Sequence, residues 1–168
     1  MVDIKLLLFD VDGVLTDGTI LVHADGSESK QFNIRDGAGM VWAQRAGLAI
    51  GLLSARTADA TAIRAAQLGI KIISQGGADK LAGYEQILEA AGLADHQVGY
   101  MGDDLQDLPV LRRAGFSAAP ADAAPEVRAA VHWVSASGGG RGAARECVEY
   151  VLRAQGHWQA AVAGFLDS

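Results

Sequence analysis

Five acidic, hydroxyl and cationic side chains stand where they could act together. Asp10 and Asp12 are separated by one residue, Ser54 ends an apolar run, and Lys80 opens a helix-like segment. Gly102-Asp103-Asp104-Leu105-Gln106-Asp107 follows a further apolar run. Each is explicable alone, because Asp and Ser cap helices and Gly commonly follows strands. Their occurrence in this order, at the ends of successive strands, is harder to explain by capping. Asp10 and Asp103 on neighbouring strand ends would repel each other, and a hard divalent cation such as Mg²⁺ relieves that repulsion. One carboxylate oxygen of Asp10 would then be placed to attack phosphorus in line and form an aspartyl phosphate. Asp12 could protonate the leaving alcohol and then activate the hydrolytic water. Ser54 would offer a hydroxyl to a phosphoryl oxygen, and Lys80 a fixed positive charge as the transition state spreads negative charge outward. Asp107 would orient Lys80 from behind.

These residues need a scaffold that delivers strand ends side by side. Apolar runs at 4–10, 49–54, 71–74, 98–102, 116–119 and 132–135 alternate with helix-length segments near 37–46, 57–68, 79–91, 105–114, 123–130 and 141–154. Leu6-Leu7-Leu8-Phe9 is apolar at every position, which suits a strand buried on both faces. The alternation predicts an α/β fold, a doubly wound parallel sheet in which ligands bind beyond the carboxyl ends of the strands. One stretch departs from it. Residues 19–23 and 29–33 are β-prone and flank Ala24-Asp25-Gly26-Ser27, which predicts an inserted hairpin over about 19–33. The chain reads as one domain over 1–168, with a C-terminal extension from about 156.

In these residues the chain resembles the haloacid dehalogenase superfamily of phosphohydrolases, whose four motifs match Asp10-x-Asp12, Ser54, Lys80 and Gly102-Asp103-Asp104-x-x-Asp107. Residues 10–18, Phe32-Asn33-Ile34-Arg35-Asp36-Gly37, Gln75-Gly76 and Gly139-Gly140-Arg141-Gly142 are similar, more narrowly, to a capless branch acting on 3-deoxy-D-manno-octulosonate (KDO) 8-phosphate. The resemblance implies a Rossmann-like fold without a cap domain. It implies Mg²⁺ on Asp10, Asp103 and the backbone carbonyl of Asp12, with Asp104 and Asp107 supporting the site. Substrate contacts would fall on Asn33, Ile34, Arg35, Asp36, Gly37, Arg56, Arg64 and Lys80. It further implies a sugar-acid phosphate as the small-molecule partner, and a homotetramer whose hairpins associate so that a neighbouring subunit covers the site. A guanidinium at Arg56 or Arg64 suits the carboxylate of a sugar acid. A sister branch acting on nine-carbon acids typically carries Glu at the Arg56 position, which favours the octulosonate. Val41 and Ala55 depart from the octulosonate pattern, where Arg and Gly are usual.

Composition narrows the classes. With 14 basic and 20 acidic residues the formal charge is −6, which argues against nucleic-acid binding and requires local cations for any phosphate. Half the residues are apolar, yet no run approaches a membrane span, so a cytoplasmic protein is expected. The single cysteine, Cys147, excludes an intrachain disulfide. Gly138–Ala143 fits a dinucleotide-binding pattern, but it follows the last strand and lacks the acidic partner downstream. Two rival classes use similar residues: a phospho-receiver domain and a catalytically silent assembly domain. Asp12 speaks against a receiver, because a lasting phosphoryl group needs no acid/base.

Overall fold

In a computed structural model of the protein, which describes residues 3–166, the all-apolar run becomes β1 (Leu6–Phe9) with every side chain fully buried. The remaining strands are β2 (Leu21–Val22), β3 (Glu28–Ser29), β4 (Ala49–Ser54), β5 (Ile72–Gln75), β6 (Val98–Met101), β7 (Phe116–Ala119) and β8 (Trp133–Val134). Six of them form one parallel sheet in the order β5-β4-β1-β6-β7-β8, while β2 and β3 pair separately as an antiparallel hairpin. The helices are α1 (Ile34–Arg45), α2 (Asp59–Gln67), α3 (Lys80–Ala91), α4 (Leu108–Leu111), α5 (Pro125–Ala130), α6 (Ala143–Ala154) and α7 (Trp158–Leu166).

Side-chain alternation along β1 divides the core in two. Leu7 and Phe9 pack with Met40 and Ala43 of α1, Ala65 of α2 and the apolar side of α6. Leu6 and Leu8 pack on the opposite face with Tyr84 and Ile87 of α3, Val110 of α4 and Val127 of α5. From β1 the chain moves outward through β4 and β5, then returns to lay β6 on the other side of β1. The loops leaving β1 and β6 therefore part in opposite directions, which opens a crevice at their carboxyl ends.

Several boundaries differ from the sequence pattern. Helix α1 starts at Ile34 rather than at 37, because Asn33 caps it by accepting a hydrogen bond from the Arg35 N–H. The hairpin pairs only Leu21 with Ser29 and Val22 with Glu28, far fewer residues than the β-prone runs suggest. The helix expected over 105–114 divides into a 3₁₀ turn, Leu105–Asp107, and a single α turn. The tail beyond Gly156 forms α7, docked by Trp158 against Trp42 of α1; the last two residues of the expected extension lie outside the described residues. Among the described residues no helix is long and apolar enough to cross a membrane.

Helix α6 has Gly142 at its N-terminal cap position, which supplies no side-chain acceptor. Asp36 on α1 supplies it instead, accepting from the Gly142 N–H at 3.3 Å and the Arg145 N–H at 2.8 Å. Burial raises the pKa of this carboxyl despite those bonds. Replacing Asp36 by Ala leaves buried donors unpaired at about 1–3 kcal/mol. Urea unfolding of Asp36→Ala is expected to show a stability loss in that range.

Candidate active site

Strand β1 ends at Asp10, which is 2% exposed, and the strand ladder continues one step as its N–H donates to the Met101 carbonyl. That bond sets Asp10 beside the loop leaving β6. Asp10 Oδ1 accepts from the Val11 N–H at 2.7 Å, and Oδ2 accepts from Lys80 Nζ at 2.5 Å. Lys80 is the first residue of α3, where the helix dipole disfavours a cation. Two carboxylates compensate: Lys80 Nζ also donates to Asp107 Oδ1 at 2.6 Å. Burial alone would lower the Lys80 pKa, but Asp10 and Asp107 outweigh it and the ammonium is held above its usual range.

Asp107 is fully saturated. Its Oδ1 also accepts from the Tyr100 hydroxyl at 2.5 Å, and its Oδ2 takes the backbone N–H groups of Asp103 and Asp104 at 2.9 and 3.1 Å. One carboxylate thus fixes Lys80 and shapes the loop that carries Asp103. Burial holds the Tyr100 phenol well above its ordinary pKa, so it remains a donor. Asp104 caps the 3₁₀ turn through the Leu105 N–H and is exposed.

Ligand atoms of Asp10, Asp103 and Asp107 lie within 4.8 Å of one another. Asp107 already has four donors, so Asp10 and Asp103 are the groups with capacity for a cation. Asp103 Oδ1 is buried without a hydrogen-bond partner among the described residues. Burial pushes Asp10 up to about 6 against the pull of Lys80, with Asp107 adding to the rise. Burial, then the charges of Asp10 and Asp107, push Asp103 up to about 7. Two carboxylates that resist ionisation, one with an orphaned oxygen, fit a hard divalent cation. Glycine is required at position 13 for this approach. Gly13 has φ +86°, and a Cβ there would lie 2.0 Å from Asp103 Oδ2.

Ser54, at the end of β4, is 3% exposed and accepts from the Arg56 N–H at 3.3 Å. Arg56 reaches over the rim, with Nε 3.8 Å from Asp12 Oδ2 and Nη2 2.7 Å from Glu28 Oε2. Of the residues on α1, Ile34 and Arg35 are exposed, whereas Asp36 is committed to α6. Gly37 lies under Arg64, whose Nη2 would be 2.4 Å from a Cβ at that position. The side-chain amide of Asn33 donates to the Gly140 carbonyl. The glycine loop itself is pressed on the loop after β1: a Cβ at Gly139 would fall 1.9 Å from the Gly13 carbonyl oxygen. A cavity of about 250 Å³ lined by Asp17, Gln31, Gly140 and Arg141 opens there.

Three residues at the site escape the sequence motifs: Glu28 and Lys30 from the hairpin, and Tyr100 inside β6. Glu28 and Lys30 are two residues apart at the start of a β-prone run, a spacing that turns both to the same side of an extended chain and is itself a signal. A tyrosine in a fully buried strand demands a hydroxyl partner, a second such signal.

The chain belongs to the haloacid dehalogenase-like hydrolases, whose family model matches residues 49–145. It is similar to the 3-deoxy-D-manno-octulosonate 8-phosphate phosphatase of Escherichia coli strain K12, with 42% identity over 92% of this chain and 82% of that one. Among solved structures, a probable YrbI family phosphatase from Pseudomonas syringae matches with TM-score 0.96 and 44% identity, covering 99% of this chain and 95% of that one. A 3-deoxy-D-manno-octulosonate 8-phosphate phosphatase from Moraxella catarrhalis, in complex with magnesium, phosphate and KDO, matches with TM-score 0.94 and 35% identity over 98% and 94%.

The raised carboxyls set a pH dependence. In the folded metal-free protein Asp10 and Asp103 hold protons more tightly than at their ordinary value of 3.8. Their stabilising contribution is therefore complete at low pH and is lost as pH rises through about 6 to 7. Melting of the metal-free protein at about pH 5 and about pH 8 is expected to show this loss, and a divalent cation should restore stability mainly at the higher pH. Asp103→Asn should diminish both the pH effect and the cation response.

Proposed function

We propose that the protein hydrolyses KDO 8-phosphate to KDO and inorganic phosphate, with Mg²⁺ as its cation. The observation that carries this reading is the buried Asp10–Lys80–Asp107 chain beside Asp103, in a protein whose octulosonate-phosphatase relatives align along nearly its whole length. A receiver domain would have no use for Asp12, and an assembly domain would have no reason to bury a lysine between two carboxylates.

Asp10 Oδ attacks phosphorus as the ester P–O bond breaks, and the leaving oxygen takes the Asp12 proton. Water then attacks the aspartyl phosphate, its proton passes to Asp12, and the Asp10 Oδ–P bond breaks, which restores both groups. Ser54 and Lys80 hold phosphoryl oxygens throughout. Asp10, Asp103 and the Asp12 backbone carbonyl would hold Mg²⁺, which supplies charge neutralisation for the transferring phosphoryl group. Arg56 lies two residues beyond Ser54, at the rim, where a substrate carboxylate can replace Glu28 as its partner. Asn33, which caps α1, and Ile34, Arg35, Asp36 and Gly37 in its first turn would form the sugar side with Arg64, Asp36 by holding α6 in place and Gly37 by leaving room for Arg64.

Phosphate release from KDO 8-phosphate tests the reading. Asp10→Asn should abolish turnover while the protein stays folded by circular dichroism. Arg56→Ala removes a charge-assisted bond of about 1.5–3 kcal/mol. Its kcat/KM on KDO 8-phosphate is expected to fall roughly ten- to hundredfold, with little change on a small phosphate ester lacking a carboxylate. A wild-type preference for a nine-carbon acid phosphate would instead favour the sister branch.

The homotetramer is part of the same proposal. Leu21 and Val22 on the hairpin are 55% and 71% exposed, and a two-stranded hairpin leaves both edges unpaired. Association of hairpins would cover both features and bring a neighbour over the open site. Light scattering is expected to give a four-chain mass, and Val22→Asp to give smaller species.

A further inference from the structure

The hairpin does more than expose an apolar tip. At its returning end, Lys30 Nζ lies 2.7 Å from Asp12 Oδ1 and 2.8 Å from Asp12 Oδ2, and the lysine side chain is 0% exposed. Glu28 sits 4.0 Å from Lys30 Nζ and pairs with Arg56, which returns to Asp12. Asp12, Lys30, Glu28 and Arg56 thus close a ring of alternating charge, with two members supplied by the hairpin.

Two physical points single out Lys30. Immobilising a lysine forfeits its rotamer entropy, and a buried ammonium must be paired, so Asp12 is the partner that holds it here. The torsion that turns an aspartate carboxylate is broad and nearly two-fold, so Asp12 left alone would sample many orientations. A donor bridging both oxygens removes that freedom. Proton transfer requires the carboxyl oxygen within hydrogen-bond reach of the leaving oxygen and then of the water.

We propose that Lys30 is a positioning residue for both proton transfers at Asp12, which makes the inserted hairpin a working part of the active site. The inference rests on the reading of Asp12 as general acid and base, and on no other feature of the substrate.

The test is a double-mutant cycle with two substrates. Lys30→Met keeps the apolar stem and removes the donor; misplacement of a catalytic group costs up to about 100-fold. With KDO 8-phosphate, whose alkoxide needs a proton to leave, Lys30→Met should slow the first step and give no burst. With 4-nitrophenyl phosphate, whose leaving group needs none, it should give a rapid burst of about one nitrophenolate per site followed by slow turnover, because the water step still needs Asp12. Lys30→Arg should recover most of the loss. In an Asp12→Asn background, Lys30→Met should cost nothing further. The proposal is overturned if Lys30→Met stays within about twofold of wild type, if no burst appears, or if it loses the same factor in the Asp12→Asn background. Should Lys30→Met fail to fold, Lys30→Gln is read in the same cycle by the same criteria. Near-wild-type activity of Asp12→Asn alone would instead remove the acid/base reading itself, an outcome visible before any Lys30 variant is made.

Discussion

A lysine held between two buried carboxylates is the constraint on which the site depends. Lys80 Nζ lies 2.5 Å from Asp10 and 2.6 Å from Asp107, with all three side chains at most 3% exposed. Removing either carboxylate would leave the ammonium at a helix N-terminus with one carboxylate partner instead of two, and removing the lysine would leave two buried carboxylates facing each other. The arrangement ties α3 to the ends of β1 and β6 at one point. When ionised, these three groups already carry a net negative charge and Asp103 adds to it, which is the electrostatic reason that a divalent cation fits beside them.

Asp107 extends this constraint into the backbone. By accepting the N–H groups of Asp103 and Asp104 it shapes the loop after β6, so the residue that holds the lysine also places Asp103. Tyr100 reaches the same oxygen from inside the sheet. The loop after β1 is held from the other side: Gly140 donates to the Val14 carbonyl, and Gly139 lies on Gly13 too closely for any side chain. The position of the glycine loop is fixed in turn by α6, which Asp36 caps from α1. Scaffold and chemistry are thereby linked through backbone donors, whose directions are set by the fold and vary little with rotamer.

Around that rigid centre the hairpin is the adaptable component. Its pairing is limited to two residues on each side, too little for stability in isolation, yet its charged end is anchored on Asp12 and Arg56. One short element thus carries an exposed apolar tip, Leu21 and Val22, and a charged base paired with Asp12 and Arg56.

The sequence by itself determined the parallel sheet, because a strand buried on both faces must be apolar at every position and Leu6–Phe9 is. It also pointed to Asp10, Asp12, Ser54, Lys80 and Asp103 as one set, because strand ends in such a sheet converge and these residues stand at strand ends or, for Lys80, at the start of the next helix. Tertiary structure alone decided the rest. Pairing of Lys30 with Asp12 spans 18 residues and depends on how a short hairpin folds back, and no periodicity encodes that. Capping of α6 by Asp36 joins positions more than 100 residues apart, so neither helix shows its partner in its own sequence. The helix expected over 105–114 begins as a 3₁₀ turn over Leu105–Asp107 because Asp107 turns inward to Lys80 and draws the preceding backbone N–H groups to its own carboxylate. Local pattern specifies what each segment can be. Which side chains meet across segments is settled only when burial leaves each charge and each backbone donor a single available partner.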